Sequence, residues 1–359
     1  MKRRHLIHTI SCAVATAIVL LAATLLLPGL LRPALAEPVS LPPMKAGQLS
    51  VSGLSSGGFM AVQFNVAFSG TVVGAGIIAG GPYNCARGNV NVATTICSCT
   101  SGLPWCSASP GGTGVDNLVD TTGTYAARGH IDATANLAAQ RIWLFSGRAD
   151  SVVPAVVMDD LAAYYRHFVP PENIKYRSDI QAQHAIPTDG WGNRCDELAA
   201  PYISNCGLDG VGELLNWIYG DLQPRSTAPA AGRFVEFDQS EFLPSPRRHG
   251  MATSGYLYIP PGCDGDGAGC RLHVAFHGCK QTQALVGQAH LRHAGYNAWA
   301  DTNRIVVLYP QAAPVYPWAN PNSCWDWFSY DDSNYALKTG RQMRAIKRMT
   351  ERLTGVPAS

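Results

Sequence analysis

The sequence predicts an α/β fold built as one large domain, and three observations carry that prediction. A β-prone run, Leu49-Ser50-Val51-Ser52, enters the turn Gly53-Leu54-Ser55-Ser56-Gly57, and an apolar, helix-compatible stretch from Gly58 to Phe68 leaves it. Further β-prone runs at 141–147, 173–179, 255–260, 271–276 and 304–311 are separated by helical patterns and turns, the alternation expected of an α/β sheet. Near the C-terminus Met343, Ile346, Met349 and Leu353 fall on one face of a helix, ready to cover such a sheet.

The chain opens with Lys2, Arg3 and Arg4, continues with an apolar run from Ile10 to Leu31, and offers Ala34-Leu35-Ala36 as a small-x-small cleavage site. We expect residues 1–36 to be an export signal and 37–359 the mature domain, secreted to the outside or the periplasm. That segment carries four basic and no acidic side chains, so its removal takes the 27 basic residues to 23 against 25 acidic. A nearly neutral chain gives no electrostatic case for nucleic acid. No stable membrane association is expected after cleavage, and no repeat, charge block or Thr/Ser/Pro-rich linker after residue 44 announces a tethered module.

Cys12 is lost with the signal, and the ten remaining of eleven cysteines allow up to five disulfides in an exported protein. Spacing favours Cys195 with Cys206, Cys263 with Cys270, and Cys279 with Cys324. Cys85, Cys97, Cys99 and Cys106 leave two pairings open, because a Cys97–Cys99 bridge strains its geometry, with zinc as the rival use of the four.

The pentapeptide around Ser55 is a G-x-S-x-G motif in its proper strand–turn–helix context. There the turn is so sharp that flanking side chains collide, and the serine projects outward as a nucleophile. A serine needs a histidine to take its proton and a carboxylate to orient that histidine. In α/β-hydrolases these follow in the order Ser, Asp or Glu, His, each just beyond a strand. Asp150 lies just past the β-prone run 141–147, which ends in a turn, whereas Asp159 and Asp160 fall in the following helix pattern as solvated-face residues and Asp179 falls in the next strand. His184 comes next, on a loop before Pro187; His167, His249, His290 and His293 sit in helices or beside arginines. Asp150 and His184 are therefore the candidate acid and base.

An acyl-transfer site also needs backbone N–H donors for the oxyanion. One is expected from Ser56; the other ordinarily comes from an HG-type turn upstream of the serine, where this chain has none. His277-Gly278-Cys279 supplies such a turn near the other end, after the run 271–276. The run 255–260 and the Leu272 strand look like the hairpin that opens an α/β-hydrolase, 304–311 like its next strand, and the chain stops after the helix that ordinarily precedes the elbow strand. The expectation is a circularly permuted α/β-hydrolase fold in a single domain.

Gly53–Gly58, the segments 79–86, 201–206 and 214–220, His277-Gly278-Cys279 and Cys324-Trp325-Asp326-Trp327 together resemble the extracellular short-chain polyhydroxyalkanoate depolymerases of the circularly permuted type, including single-domain fungal members. The resemblance spans the whole mature chain. It implies Ser55 as nucleophile, Asp150 as orienting acid, His184 as general base and acid, the N–H groups of Ser56 and Cys279 as oxyanion hole, and Trp325 as an aromatic lining the polymer crevice. The fungal pattern has two cysteines where this chain has four between Cys85 and Cys106, followed by the glycine-rich insertion 111–114. The function so implied is hydrolysis of poly(3-hydroxybutyrate) or a related polyester by a serine esterase, with no metal or organic cofactor, acting as a monomer. A feruloyl or acetyl esterase on plant polysaccharide is the alternative with the same chemistry, and a surface-binding protein on a hydrolase scaffold the non-enzymatic one.

Overall fold

The computed structural model describes residues 38–102, 106–316 and 319–356, so the export-signal expectation for residues 1–36 lies outside the described residues. Eleven strands are described. They are β1 (Gly47–Leu54), β2 (Val72–Ile78), β3 (Arg141–Phe145), β4 (Ile174–Arg177), β5 (Ile186–Thr188), β6 (Asn193–Arg194), β7 (Ile203–Asn205), β8 (Arg233–Asp238), β9 (Ser254–Ile259), β10 (Arg271–Phe276) and β11 (Ile305–Tyr309). Eight form the main sheet in the order β4-β3-β2-β1-β10-β11-β9-β8, and β5, β7 and β6 form a small parallel sheet beside it.

In the main sheet only β9 runs antiparallel to its neighbours. Renumbered from β8, the spatial order becomes first, second, fourth, third, then the fifth to the eighth in sequence. That is a doubly wound sheet whose chain starts at its fifth strand, which is the permutation that the displaced His277-Gly278-Cys279 turn calls for. The join needs no chain connection: β1 is zipped to β10 by register from Gly47 opposite Arg271 to Gly53 opposite Phe276.

The inner strands of the main sheet are buried on both faces, as parallel strands must be, whereas the edge strands β4 and β8 are only partly covered. On β11, Val306 and Leu308 enter one core with Met60, Phe64, Leu161, Met343 and Ile346, while Val307 and Tyr309 enter the other with Leu214, Ile218, Tyr296 and Ala300. The first core is covered by the helices Ser56–Ala67, Ala155–Arg166 and Arg341–Thr354, the second by Gly210–Tyr219 and Tyr296–Asn303. No helix of the described residues is long and apolar enough to cross a membrane.

Three local expectations change. β9 and β10 form no hairpin, because β11 lies between them. β4 ends at Arg177, so Asp179 stands beyond the strand and pairs with Arg177 at 2.8 Å. Asp160 is buried, not solvated: its carboxylate accepts the N–H groups of Gly111 and Thr113 at 2.8 and 3.1 Å and the Thr113 hydroxyl at 2.8 Å, and so holds the glycine-rich insertion. All ten cysteines past residue 37 are paired. The three pairs favoured by spacing form, and the open cluster resolves as Cys85–Cys97 and Cys99–Cys106.

Candidate active site

Ser55 closes β1 and precedes the helix Ser56–Ala67 with φ 59° and ψ −124°, a strained setting for a residue with a Cβ. The turn is tight enough that a Cβ on Gly53 would meet the Gly57 backbone, and one on Gly57 would meet the carbonyls of Phe276 and His277. Glycine is therefore required at both positions. Ser55 N–H donates to Ile78 O at 3.0 Å, which ties the turn to the end of β2. The serine is half-buried while its neighbours on both sides are buried, so it is the one residue of the turn that reaches outward.

Asp150 and His184 come from different loops that are stitched together by backbone. Arg148 N–H donates to Ile180 O at 2.9 Å and Ala149 N–H to Ala182 O at 3.1 Å. A Cβ on Gly147 would strike the Ala182 carbonyl, so glycine there permits the approach. Asp150 Oδ1 accepts the N–H groups of Val152 and Val153, both at 2.8 Å, and Oδ2 lies 2.8 Å from His184 Nδ1. A carboxylate at Nδ1 keeps the proton there, so Nε2 is the free base. That nitrogen is buried and has no hydrogen-bond partner, not even Ser55. The histidine loop is braced in turn by Gln183 N–H to Cys195 O at 2.8 Å, Ile186 N–H to Tyr202 O at 3.0 Å, and the Cys195–Cys206 bridge.

Directly after β10, residues 277–281 form a heavily restrained turn. Gln281 N–H closes it onto Gly278 O at 3.2 Å, and Gln281 Oε1 accepts Gly278 N–H at 2.9 Å. The Cys279–Cys324 bridge ties it to the segment that contains Trp325. Because β10 lies next to β1, this turn and the Ser55 turn emerge side by side at the carboxyl ends of adjacent strands.

Trp325 does not line a crevice. Its ring is fully buried in the first core, packs edge-on to Phe276 at 5.3 Å, and donates Nε1–H to His277 O at 2.9 Å. The implied crevice role is thus corrected: a ring with no exposure and a satisfied N–H offers nothing to a polymer. Trp327 has the complementary character. It stacks on Phe59, one helical turn past Ser55, with centroids 3.9 Å apart and planes within 10°, and its Nε1–H is buried without a partner. Asp326 sets the two apart by gathering the N–H groups of Tyr330, Asp331 and Asp332 at 3.0–3.3 Å, although burial pushes its carboxyl up to about 7. No period in an irregular segment says which of two tryptophans two residues apart faces inward. A surface cavity of about 540 Å³, lined by Lys175, Asp209, Glu213, Trp217 and Trp299, contains none of these residues, and its Asp209 is already bound to Arg225 and Trp299 at 2.8 Å.

No family model matches the chain. Among curated proteins it is 49% identical over 303 residues to a poly(3-hydroxybutyrate) depolymerase of Delftia acidovorans, a match that covers 84% of this chain and 58% of that longer relative. It is 41% identical over 305 residues to a polyhydroxybutyrate depolymerase of Talaromyces funiculosus, covering 81% of this chain and 85% of the relative. Among solved structures it resembles the PHB depolymerase from Penicillium funiculosum with a TM-score of 0.79 at 36% identity, over 89% of this chain and 99% of that one. A serine-to-alanine variant of PHB depolymerase complexed with an R3HB trimer matches equally well.

Proposed function

The chain belongs to the poly(3-hydroxybutyrate) depolymerase family, and on that footing we propose that it is a secreted serine esterase that hydrolyses poly(3-hydroxybutyrate) or a related short-chain polyester. The observation that carries the reading is the Asp150–His184 pair at 2.8 Å with its unpartnered Nε2, together with a serine on a strained elbow at the carboxyl end of a strand of the main sheet. His184 Nε2 takes the Ser55 proton as Oγ attacks an ester carbonyl. The oxyanion is received by the N–H groups of Ser56 and Cys279. Collapse expels the remaining polymer as an alcohol that takes the proton from His184 and leaves a 3-hydroxyacyl ester on Ser55. Water, deprotonated by His184, then attacks that ester, and the acid leaves as Ser55 regains its proton. Asp150 holds the ring in place and stabilises the imidazolium.

Five disulfides suit an oxidising compartment, and export as a monomer completes the proposal. The test is release of 3-hydroxybutyrate and its oligomers from amorphous polymer, measured beside aryl and feruloyl esters. Turnover of the polyester is expected, and turnover of feruloyl esters alone would overturn the substrate assignment.

A further inference from the structure

We propose that His277 is a positioning residue that aims the Cys279 N–H at the oxyanion, an inference that rests on the esterase reading above. Its ring is fully buried and both nitrogens are engaged. Ala312 N–H donates to Nε2 at 3.0 Å, so Nε2 is an acceptor and the proton of the neutral ring is on Nδ1. Nδ1–H then donates to Gly278 O at 2.7 Å. The Gly278 carbonyl and the Cys279 N–H belong to one planar trans peptide, so they point in opposite directions. Holding the oxygen against the ring therefore turns the Cys279 N–H away from it, to the open side of the turn.

The other restraints act on different atoms. Trp325 Nε1–H holds His277 O, Gln281 Oε1 holds Gly278 N–H, and the disulfide holds the Cys279 side chain. Those bonds locate the turn. Besides the turn's own closure from Gln281 N–H, His277 alone among these side chains grips the carbonyl that sets the peptide plane. Hydrogen-bond strength depends steeply on angle, so a peptide left free to tilt loses oxyanion stabilisation even with the turn intact.

The experiment measures kcat and KM on a soluble aryl butyrate, affinity for a boronic acid transition-state analogue, and thermal midpoint. His277→Gln can still accept from Ala312 but cannot donate from the Nδ1 position. It should lower kcat roughly 10–100-fold with KM changed less than about threefold, and weaken the boronic acid by a similar factor; complete loss of an oxyanion donor costs about 10²–10³. His277→Asn, whose amide nitrogen stands near the Nδ1 position, should recover most of kcat. Unchanged kcat in His277→Gln, a lowered midpoint with kcat intact, or equal loss in the two variants would each overturn the proposal. An independent reading needs no variant: ¹⁵N spectra of the wild-type protein should give the Nδ1–H tautomer for His277, and an Nε2–H tautomer refutes the assignment. Ser55→Ala is run in parallel. If it hydrolyses normally, the esterase reading itself fails; if it is dead while His277→Gln is normal, only the positioning role fails.

Discussion

The segment from β1 to β4 and the loop after it carry the three side chains proposed to react, whereas the segment from β8 to β11 contributes a backbone turn. The two are built to different standards of restraint. Asp150 and His184 ride on loops joined by a few backbone bonds, and each side chain is aimed by one or two hydrogen bonds. The turn at 277–281 is gripped by a disulfide, an indole, a glutamine and an imidazole within five residues. The difference teaches that a side chain can be aimed by its own rotamer, but a backbone N–H can be aimed only by fixing the peptide that bears it. Permutation does not disturb this division, because sheet pairing between β1 and β10 brings the two halves together.

The comparison is broken most severely from the side-chain half. Ser55→Ala should abolish ester hydrolysis while leaving the fold intact, and Asp150→Asn should lower kcat by about 10⁴ by letting His184 take the wrong tautomer. Combining the two should add little, since such groups act as a unit. Turnover assays with thermal midpoints check this; near-normal turnover in Asp150→Asn would transfer the orienting role to another group.

From the backbone half, replacing Cys279 and Cys324 with alanine opens a loop with a sequence separation of 45 residues. The loss is about 4 kcal/mol in the chain-entropy picture, read by urea unfolding. Activity at a temperature where the variant is folded should fall by far less than in Ser55→Ala, because His277, Trp325 and Gln281 still grip the turn. A loss as large as that of Ser55→Ala would make the disulfide, and not the hydrogen bonds, the aiming device.

The two halves also differed in legibility. Ser55, Asp150 and His184 stand out in the sequence because each follows a β-prone run, and the structure brings Asp150 and His184 together. His277-Gly278-Cys279 was readable as a displaced motif. What escaped was nonlocal. Adjacency in sequence made 255–260 and 271–276 look like a hairpin, but insertion of β11 between them is decided by burial on both faces of a completed sheet. Asp160 looked solvated because helical spacing takes no account of a glycine-rich loop folding back to donate three hydrogen bonds. The orientation of Trp325 depends on a carbonyl 48 residues away in sequence.

A milder perturbation is acid. Burial lowers the pKa of His273 and His290 to about 3 and that of His277 to about 4, against 6.5 unfolded. In that window the unfolded chain binds protons that the folded one refuses, so the stability these groups confer is complete above pH 6.5 and drains as pH falls toward 3–4. Each contributes a slope of up to about 1.4 kcal/mol per pH unit. Urea midpoints should fall steadily below pH 6.5, and His290→Gln, whose ring lies edge-on to His277 with centroids 6.2 Å apart but makes no hydrogen bond to the site, should flatten the slope by about one proton. An unchanged slope would mean that His290 is charged in the folded protein.

The smallest expected effect lies where the halves meet, at Trp327. Its ring stacks on Phe59 of the nucleophile helix, yet its Nε1–H is buried without a partner, and an unmade hydrogen bond costs about 1–3 kcal/mol. A donor kept at that cost beside the site is explained if a substrate carbonyl completes it. Trp327→Phe keeps an aromatic face for Phe59 and removes only the N–H end, so stability should change by less than about 1 kcal/mol. Hydrolysis of 3-hydroxybutyrate oligomers, which carry a second ester carbonyl, should drop about 3–10-fold in kcat/KM, the worth of one neutral hydrogen bond. A simple aryl acetate has no second carbonyl and should be hydrolysed as before. Equal losses on both substrates would assign Trp327 to packing, and would leave the buried N–H as an uncompensated cost of the stack with Phe59.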